Sequence, residues 1–441
     1  MSAVADVCIV GGGLAGCEAA FQLCRRGHRV TLYEAKPLVF SAAHSDDNLA
    51  ELVCSNSLKS ERRPAGAALL KAELRSVGSL LLDIAEQHRV PAGSALAVDR
   101  KSFSAAVTAA LRAEPAIEIR REVVSKPPAR PCLLASGPLT AGPLADWLAG
   151  STGSDRLHFY DAIAPIVSAQ SLDRSVIFSA SRREQGEGDY LNVPLDEPGY
   201  RALVEGLKSA EQVRPHSFED ARYFQACQPI ERLAGQGDDT LAFGTMRPVG
   251  LVDPRTGRRP FAVIQLRRED AAGTAYNLVG CQTRMKQAEQ RRVFRALPGL
   301  GGAEFLRYGS VHRNTYVDGP RVLQPDLSLK AETGLFLAGT LCGAEGYVEA
   351  MATGGLAALF IDARERGRAL EPPPLTTALG ALLAHVTGRI EGAAADFSPS
   401  NFHFGLVPPL DAPVKGGRRA RREAMFARAL EDLESWLASA L

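Results

Sequence analysis

The sequence predicts an α/β protein in which a dinucleotide-binding domain built on a parallel sheet is interrupted by an inserted α+β domain. Three observations carry that prediction. A strand-glycine-helix-strand unit opens the chain, a second strand-glycine-helix unit spans Thr333 to Phe360, and the texture between them changes to short alternating strands. At 441 residues the chain is longer than one ordinary domain, and an apolar share of 46% against 23% charged residues supports a large buried core.

The first unit reads DVCIVGGGLAGCEAAFQLCRRGHRVTLYEAKP from Asp6. Val7 to Val10 form a strand, Gly11, Gly12, Gly13 and Gly16 punctuate the turn, and a second strand runs from Arg29 to Glu34. Glycines there let the turn close and a pyrophosphate approach the backbone, the helix N-terminus faces the phosphates, and an acid about 20 residues on receives a ribose hydroxyl. Cys17 and Cys24 on that helix read as small packing residues. IEIRREVVS and PCLLASGPLT read as a β-edge pair, the second ending at Ala135-Ser136-Gly137, a strand-end turn that returns the chain to the cofactor.

From about Asp155 to Leu306 the strands are short and alternate: HFYDAIAPIVSA, RYFQACQPIERL, PFAVIQLR and AYNLVGCQTRM, with helical runs near Glu197 to Ser209 and Met285 to Leu297. Such a pattern predicts a mixed, mainly antiparallel sheet. It is read as a substrate domain at 155–306, between two parts of the dinucleotide-binding domain at 1–154 and 307–369. LEPPPL, Leu370 to Leu375, is a stiff link into a helical tail at 370–441. In that tail KGGRRARR, Lys415 to Arg422, precedes an amphipathic helix with Phe426, Ala429, Leu430, Leu433 and Leu437 on one stripe.

The late unit has a strand from Leu335 to Ala338, a turn containing Gly339 and Gly343, and a helix starting near Glu345. In flavoproteins of the glutathione-reductase type such an element brings a second helix N-terminus to the flavin and stabilises negative charge on the reduced ring. A nicotinamide-only domain has no need of it. The cofactor is therefore read as FAD, and the domain as an FAD-binding, Rossmann-like one of the glutathione-reductase type. Thr340, where such flavoproteins usually carry an acid after the glycine, marks a subfamily.

Lys plus Arg number 51 against 50 for Asp plus Glu, so no global field announces a polyanion partner, and the basic run at Lys415 reads as a solvated helix start. The N-terminus lacks the flank and cleavage site of a signal peptide, and no uncharged run of about 18 residues exists. The expectation is a cytoplasmic protein without a membrane span. Eight cysteines, at 8, 17, 24, 54, 132, 227, 281 and 342, include no C-x-x-C and no metal spacing, so neither a metal nor a dithiol pair is expected. Cys54 in AELVCSNSL lies just after the second strand with no cysteine nearby. Composition favours a small core residue there; a nucleophile or proton donor is the alternative.

In AELVCSNSLKS, RVPAGSALAVDRKSF, ASGPLTAGPLADWL, FGTMRPVGLVDPRTGRRPFAVIQLR, YNLVGCQT, RYGSVHRNTY, LFLAGTLCGAEGYVEAMATGG and NFHFGLVPPL, in order between Val7 and Pro409, the chain resembles the folate- and FAD-dependent tRNA (uracil-5-)-methyltransferases of bacteria, the TrmFO family. The resemblance implies that the methylene of 5,10-methylenetetrahydrofolate passes, via reduced FAD, to carbon-5 of a T-loop uridine in tRNA, with NADH or NADPH recharging the flavin. It also implies a thiolate that adds to uracil carbon-6. The family's two functional cysteines fall on Cys54 and Cys227, which reverses the weighting on Cys54. Cys227 is read as the carbon-6 nucleophile and Cys54 as the flavin-side thiol, with the reverse assignment open.

Other residues carry over from the same resemblance. Ser55 and Asn56 bond the flavin or stabilise a turn, and Tyr347 stacks on the isoalloxazine or packs at a helix start. His312, Arg313 and Asn314 are candidates for orienting substrate; Arg284, Lys286, Arg291 and Arg292 contact phosphate or form a solvated face. Val193 stands where many members have cysteine, and Met285, Gln287 and Cys342 also depart from the pattern. These departures leave both principal cysteines in place and put the RNA target in question. A ribosomal-RNA methyltransferase of the same chemistry and a non-catalytic RNA-binding flavoprotein are the alternatives, while a wobble-uridine flavoprotein should be longer.

Overall fold

Val7, Ile9, Val30 and Leu32 are almost wholly buried because their strands lie at the centre of a six-stranded sheet. In the computed structural model, which describes residues 4–153, 157–182, 188–213, 228–390 and 397–440, that sheet runs in the order Ser328–Leu329, Glu332–Leu337, Cys132–Leu134, Asp6–Val10, Arg29–Glu34, Ile117–Arg121. Every neighbouring pair is parallel except the hairpin formed by the first two. This is the doubly wound arrangement the opening unit predicts.

The expected β-edge pair does not form. Cys132–Leu134 and Ile117–Arg121 are not an edge pair: two strands separate them. Cys132, Leu133 and Leu134 are all 0% exposed, which suits a central strand covered on both faces. Ile117–Arg121 alternates with exposed Glu118 and Arg120 and sits at the edge.

The helix Leu14–Arg25 and the long helix Tyr347–Glu365 tie the two ends of the chain together. They approach so closely that a Cβ on Gly354 would lie 2.2 Å from the carbonyl oxygen of Ala15. The contact brings the N-terminal turns of both helices to the same end of the sheet.

A second six-stranded sheet, antiparallel throughout, runs Phe178–Ser179, Leu191–Leu195, Ala262–Arg268, Ala275–Leu278, Ile166–Ser168, Phe305–Arg307. It has its own core, in which Tyr200, Leu203 and Leu207 of the helix Glu197–Ser209 pack with Ile264, Leu266 and Phe294. A two-stranded antiparallel ribbon, Leu157–Ile163 with Ser310–Tyr316, carries the chain out of the first sheet region and back. A three-stranded sheet of Ser57–Ser60, Ala95–Val98 and Arg89–Val90 completes the strands among the described residues.

RYFQACQPIERL is not a strand where it is described. Residues 221–227, Cys227 among them, lie outside the described residues, and Ile230–Gly235 is helical, with Ile230 and Ala234 buried one turn apart. The basic run at Lys415 does not precede the terminal helix but forms its first turns, since that helix spans Gly417–Ala440. Its buried stripe is Met425, Phe426, Ala429, Leu433 and Trp436, and the Trp436 indole donates to the Glu371 carbonyl at 2.9 Å. Among the described residues no helix is long and apolar enough to cross a membrane.

The adjacent glycines of the long helix predict opposite outcomes. Gly354→Val must displace the Ala15 backbone, so we expect a loss of about 3 kcal/mol or more and poor retention of flavin. For Gly355→Ala the nearest atom is Glu18 Cγ at 3.9 Å, and the expected change is neutral to about 1 kcal/mol stabilising. Thermal melts and the flavin-to-protein absorbance ratio check both.

Candidate active site

The glycine turn ends at Gly13, which opens the helix Leu14–Arg25 without a side-chain cap and without an acid in its first turn. The N–H groups of that turn are therefore available to an anion. A Cβ on Gly13 or on Gly137 would meet nothing within 4 Å, so the backbone faces open space at both turns. Gly11, Gly12 and Gly16 are closed positions instead: added Cβ atoms would meet Ala135 O at 2.4 Å, Leu49 Cδ2 at 2.4 Å and Gly11 O at 1.9 Å. Glu34, nearly buried, accepts from the Gly12 N–H at 2.9 Å and from the Lys36 N–H at 2.8 Å. A carboxylate has further lone pairs, so it holds the turn and still accepts from a ribose hydroxyl. These residues fit a dinucleotide such as FAD.

Gly339 and Gly343 have packing reasons. A Cβ on Gly339 would lie 3.3 Å from Ala15 Cβ, and its N–H donates to Thr353 Oγ1 at 2.8 Å. Gly343, at φ +94°, leaves room for the Phe397 ring. The turn they build delivers Tyr347 to the start of the long helix.

Tyr347 meets the segment Leu52–Asn56. Its hydroxyl oxygen accepts the backbone N–H of Cys54 at 2.8 Å and of Ser55 at 3.1 Å. From a second side, Arg100 donates to the carbonyls of Leu52 at 2.7 Å and Cys54 at 3.5 Å while its Nε bonds Glu269 at 2.5 Å. From a third, Arg267 of the antiparallel sheet donates to Asn56 Oδ1 at 2.8 Å and Ser55 Oγ at 3.1 Å. Asn56 is 0% exposed and spends its amide donors on Val98 O and Arg268 O. Its side chain is fully occupied by protein, which makes it a holder of the loop. Underneath, Lys71, also 0% exposed, donates to the carbonyls of Leu58, Lys59 and Ser60 at 2.7, 3.1 and 2.9 Å.

Cys54 is half-buried at this junction. Three guanidiniums, of Arg100, Arg267 and Arg307, lie within electrostatic reach of it. Cationic surroundings of this kind favour a thiolate. Burial, with Asp161 and then Cys54 and Glu349 adding to it, holds Glu345 well above the usual carboxylate range, within electrostatic reach of the thiol. Burial, then Cys54, also pushes the Tyr347 phenol up, and that hydroxyl remains protonated. His312 is pushed below its usual value by burial and by Arg307 and His44, and is neutral.

His44 was not singled out from sequence. It is bonded to Ser41 at 2.6 Å, with its pKa lowered by burial and by Lys36, and nothing in its sequence neighbourhood signals a site. Arg100 and Arg267 were missed for the same reason: their partners are long-range. Among the other candidates, Asn314 is 3% exposed and donates to Asp161 at 2.7 Å, and Arg313 is exposed. Arg284 bonds Gln212 at 2.6 Å, Lys286 pairs with Glu211, Arg292 pairs with Glu289 at 2.6 Å, and Arg291 lies over the Tyr308 ring. A basic cavity at the opposite end of the helix Leu14–Arg25 is distinct from this site; Arg366 and Arg368 there are both bonded to Asp362, and Arg26 to Gln22.

Residues 6–369 match the family model GIDA, glucose inhibited division protein A. The chain is 55% identical over 438 residues to methylenetetrahydrofolate–tRNA-(uracil-5-)-methyltransferase TrmFO of Anaeromyxobacter dehalogenans strain 2CP-1, covering 98% of this chain and 96% of that one. It is 51% identical to the protein of the same name from Myxococcus xanthus, covering 98% and 94%. Among solved structures, Aquifex aeolicus GidA superposes with a TM-score of 0.69 at 15% identity, over 98% of this chain and 76% of that one, a likeness of fold.

Two tests follow from the loop. Tyr347→Phe removes the acceptor of two N–H groups, and Cys54 should alkylate up to about tenfold faster, read by mass spectrometry of the iodoacetamide-labelled peptide. Burial pushes Lys71 down from 10.5 to about 7. Between those values the unfolded chain binds the extra proton, so stability rises with pH there and is unaffected by this group below about 7. Urea midpoints of the wild type, relative to Lys71→Met, should climb from about pH 7 to about pH 10 and stay level below.

Proposed function

The chain belongs to the GIDA family and within it stands with the methylenetetrahydrofolate–tRNA-(uracil-5-)-methyltransferases, and on that premise we propose how its residues share the work. It is an FAD- and folate-dependent enzyme that methylates uracil carbon-5 in tRNA, giving 5-methyluridine. The proposed target is a uridine of the T-arm, and the proposed reductant is NADH or NADPH. The observation that carries the division of roles is the Cys54 thiol, set between the dinucleotide cradle and the antiparallel sheet within reach of three guanidiniums.

Carbon-5 of uracil is a weak nucleophile. A thiolate added to carbon-6 moves the electron pair of the double bond toward the carbon-4 carbonyl and makes carbon-5 enolate-like. Carbon-5 then forms the new bond to the one-carbon unit and its proton leaves to a base; the bond between that carbon and its nitrogen carrier breaks, the carrier leaving with the electron pair, and once hydride has reached the resulting methylene the thiolate departs from carbon-6 and the ring double bond is restored. When bound, FAD carries electrons from the nicotinamide and supplies the hydride that completes the methyl group.

In this scheme Gly13, Gly137 and the first turn of the helix Leu14–Arg25 hold the pyrophosphate, and Glu34 holds a ribose. Cys227 is the proposed carbon-6 nucleophile, with Cys54 as the flavin-side thiol; exchange of the two roles is the competing assignment. Arg100, Arg267 and Arg307 favour the charged form of the Cys54 thiol, and Glu345 offers a neutral carboxyl for proton exchange with it. Tyr347 closes the loop over Cys54 through its hydroxyl and must shift for substrate to reach the thiol.

The test supplies NADPH, methylenetetrahydrofolate labelled in its methylene, and separate unmodified tRNA and ribosomal-RNA transcripts to the flavin-loaded protein. Label is expected as 5-methyluridine in tRNA, falling by about 100-fold or more in Cys54→Ala and in Cys227→Ala. Label confined to ribosomal RNA would move the target. Label in neither RNA, from a reducible flavoenzyme, would refute the assignment.

A further inference from the structure

Arg307 has a position that the scheme above does not use. It is the last residue of the edge strand Phe305–Arg307, where the pairing with Ile166–Ser168 slips between Phe305 and Arg307. A slip of this kind bends an edge strand and re-aims its side chain. The guanidinium that results is half-buried and has Cys54, Tyr347, Arg100 and Glu269 within electrostatic reach. His312 and His44 lie within reach of it as well.

The backbone of Arg307 pairs with Ile166, but no hydrogen bond or ion pair joins its guanidinium to any described residue. Glu269, the carboxylate within its reach, is bonded through Oε2 to Arg100 at 2.5 Å. Its two histidine neighbours are driven toward their neutral forms and supply no negative charge. Arg100 repels it. Taking a guanidinium out of water without an acceptor is unfavourable, and the fold half-buries this one within electrostatic reach of the thiol nonetheless. The other two guanidiniums within reach of the thiol, of Arg267 and Arg100, are by contrast fully explained by the loop they hold.

We infer that Arg307 forms an anion-binding subsite of the active centre, whose ligand is a backbone phosphate flanking the target uridine. The inference rests on the RNA-methylating function given above. A guanidinium binds phosphate through two parallel N–H donors, and Arg is suited to this where a fork must be aimed. The alternative anion is a glutamyl carboxylate of the folate. The phosphate lies one ribose away from the reacting base, whereas the carboxylate lies a whole aminobenzoyl group beyond the reacting pterin. An anion site within reach of the Cys54 thiol matches the nearer of the two. The surface leading to Arg307 is also suited to RNA: the Tyr308 ring stacks on Phe305 at 5.1 Å, and Arg291 covers it while donating to its hydroxyl at 2.6 Å. Arg307 is thereby a positioning residue that fixes the nucleotide while the thiols act on its base.

The experiment compares flavin-loaded wild type with Arg307→Gln and Arg307→Lys. Affinity for an unmodified tRNA transcript is read by fluorescence anisotropy over a range of salt, and the KM values for RNA and for methylenetetrahydrofolate are measured separately. Arg307→Gln should weaken RNA binding about tenfold and reduce the slope of log affinity against log salt by roughly 0.7–0.9, one phosphate's worth, with the rise in KM confined to RNA. Arg307→Lys keeps the charge but not the fork, and should restore the salt slope with only part of the affinity. Should Arg307→Gln fail to retain flavin, the lysine variant carries the comparison. A rise in the folate KM with unchanged RNA affinity would assign the subsite to the glutamyl carboxylate and overturn the inference. Unchanged RNA and folate parameters in a folded variant would overturn it as well. A wild type that methylates no RNA would instead refute the functional reading on which it rests.

Discussion

The hydroxyl of Tyr347 accepts the N–H groups of Cys54 and Ser55, and the geometry of the active centre depends on that junction. Tyr347 begins a helix whose close approach to the first helix is fixed by the glycine contact at Gly354. Cys54 follows the second strand of the same sheet, nearly 300 residues earlier in the chain. The hydrogen bonds therefore couple the dinucleotide cradle to the thiol. Arg267 extends the coupling to the antiparallel sheet, so three separately built parts of the protein converge on five residues of backbone, Leu52–Asn56.

This convergence is polar where a stable core would be apolar. Arg267 is 8% exposed, with hydroxyl and amide acceptors in place of a bonded carboxylate, and Lys71 is 0% exposed against three carbonyls. Burying such charges is unfavourable relative to a packed apolar cluster, so stability alone does not account for them. Their value lies in direction: several charge-assisted donors fix the loop in one conformation and surround a thiol with positive potential. Burial, and then Arg307, lowers His312, and the Arg307 guanidinium itself has no bonded acceptor among the described residues. The site is arranged for anions, both those formed on its own sulfur and those brought by substrate. This also reconciles RNA binding with a net charge of +1, since the relevant charge is concentrated at one junction.

The parts legible in the sequence were those set by local pattern. The strand Arg29–Glu34 and the glycine turn follow from period and spacing, and the antiparallel strands Ala262–Arg268 and Ala275–Leu278 from β-branched and aromatic runs. The strand order was not legible where a three-residue segment decided it. Cys132–Leu134 is too short to show whether one face or both is covered, and only the assembled sheet makes it central. The helix at Ile230–Gly235 was misjudged because six residues hold less than two turns of pattern. At the site, Cys54 and Tyr347 were marked by family resemblance, while Arg100, Arg267, His44 and Lys71 were invisible. Their roles come from partners far along the chain, such as Asn56 for Arg267, and no local window contains both members.

The central claim is that a cysteine thiol, of Cys227 or of Cys54, bonds to the uracil ring, and trapping that bond tests it most directly. RNA carrying 5-fluorouridine at the target position has no carbon-5 proton to lose, so a thiolate adduct at carbon-6 accumulates after the one-carbon unit is attached. Denaturing electrophoresis, followed by mass spectrometry of the nuclease- and protease-treated product, identifies the residue that carries the nucleotide. The account predicts a covalent complex formed only with methylenetetrahydrofolate and reductant present, on the peptide of Cys227 or of Cys54. A flavin-loaded, reducible protein that binds this RNA yet gives no adduct on either cysteine would contradict it.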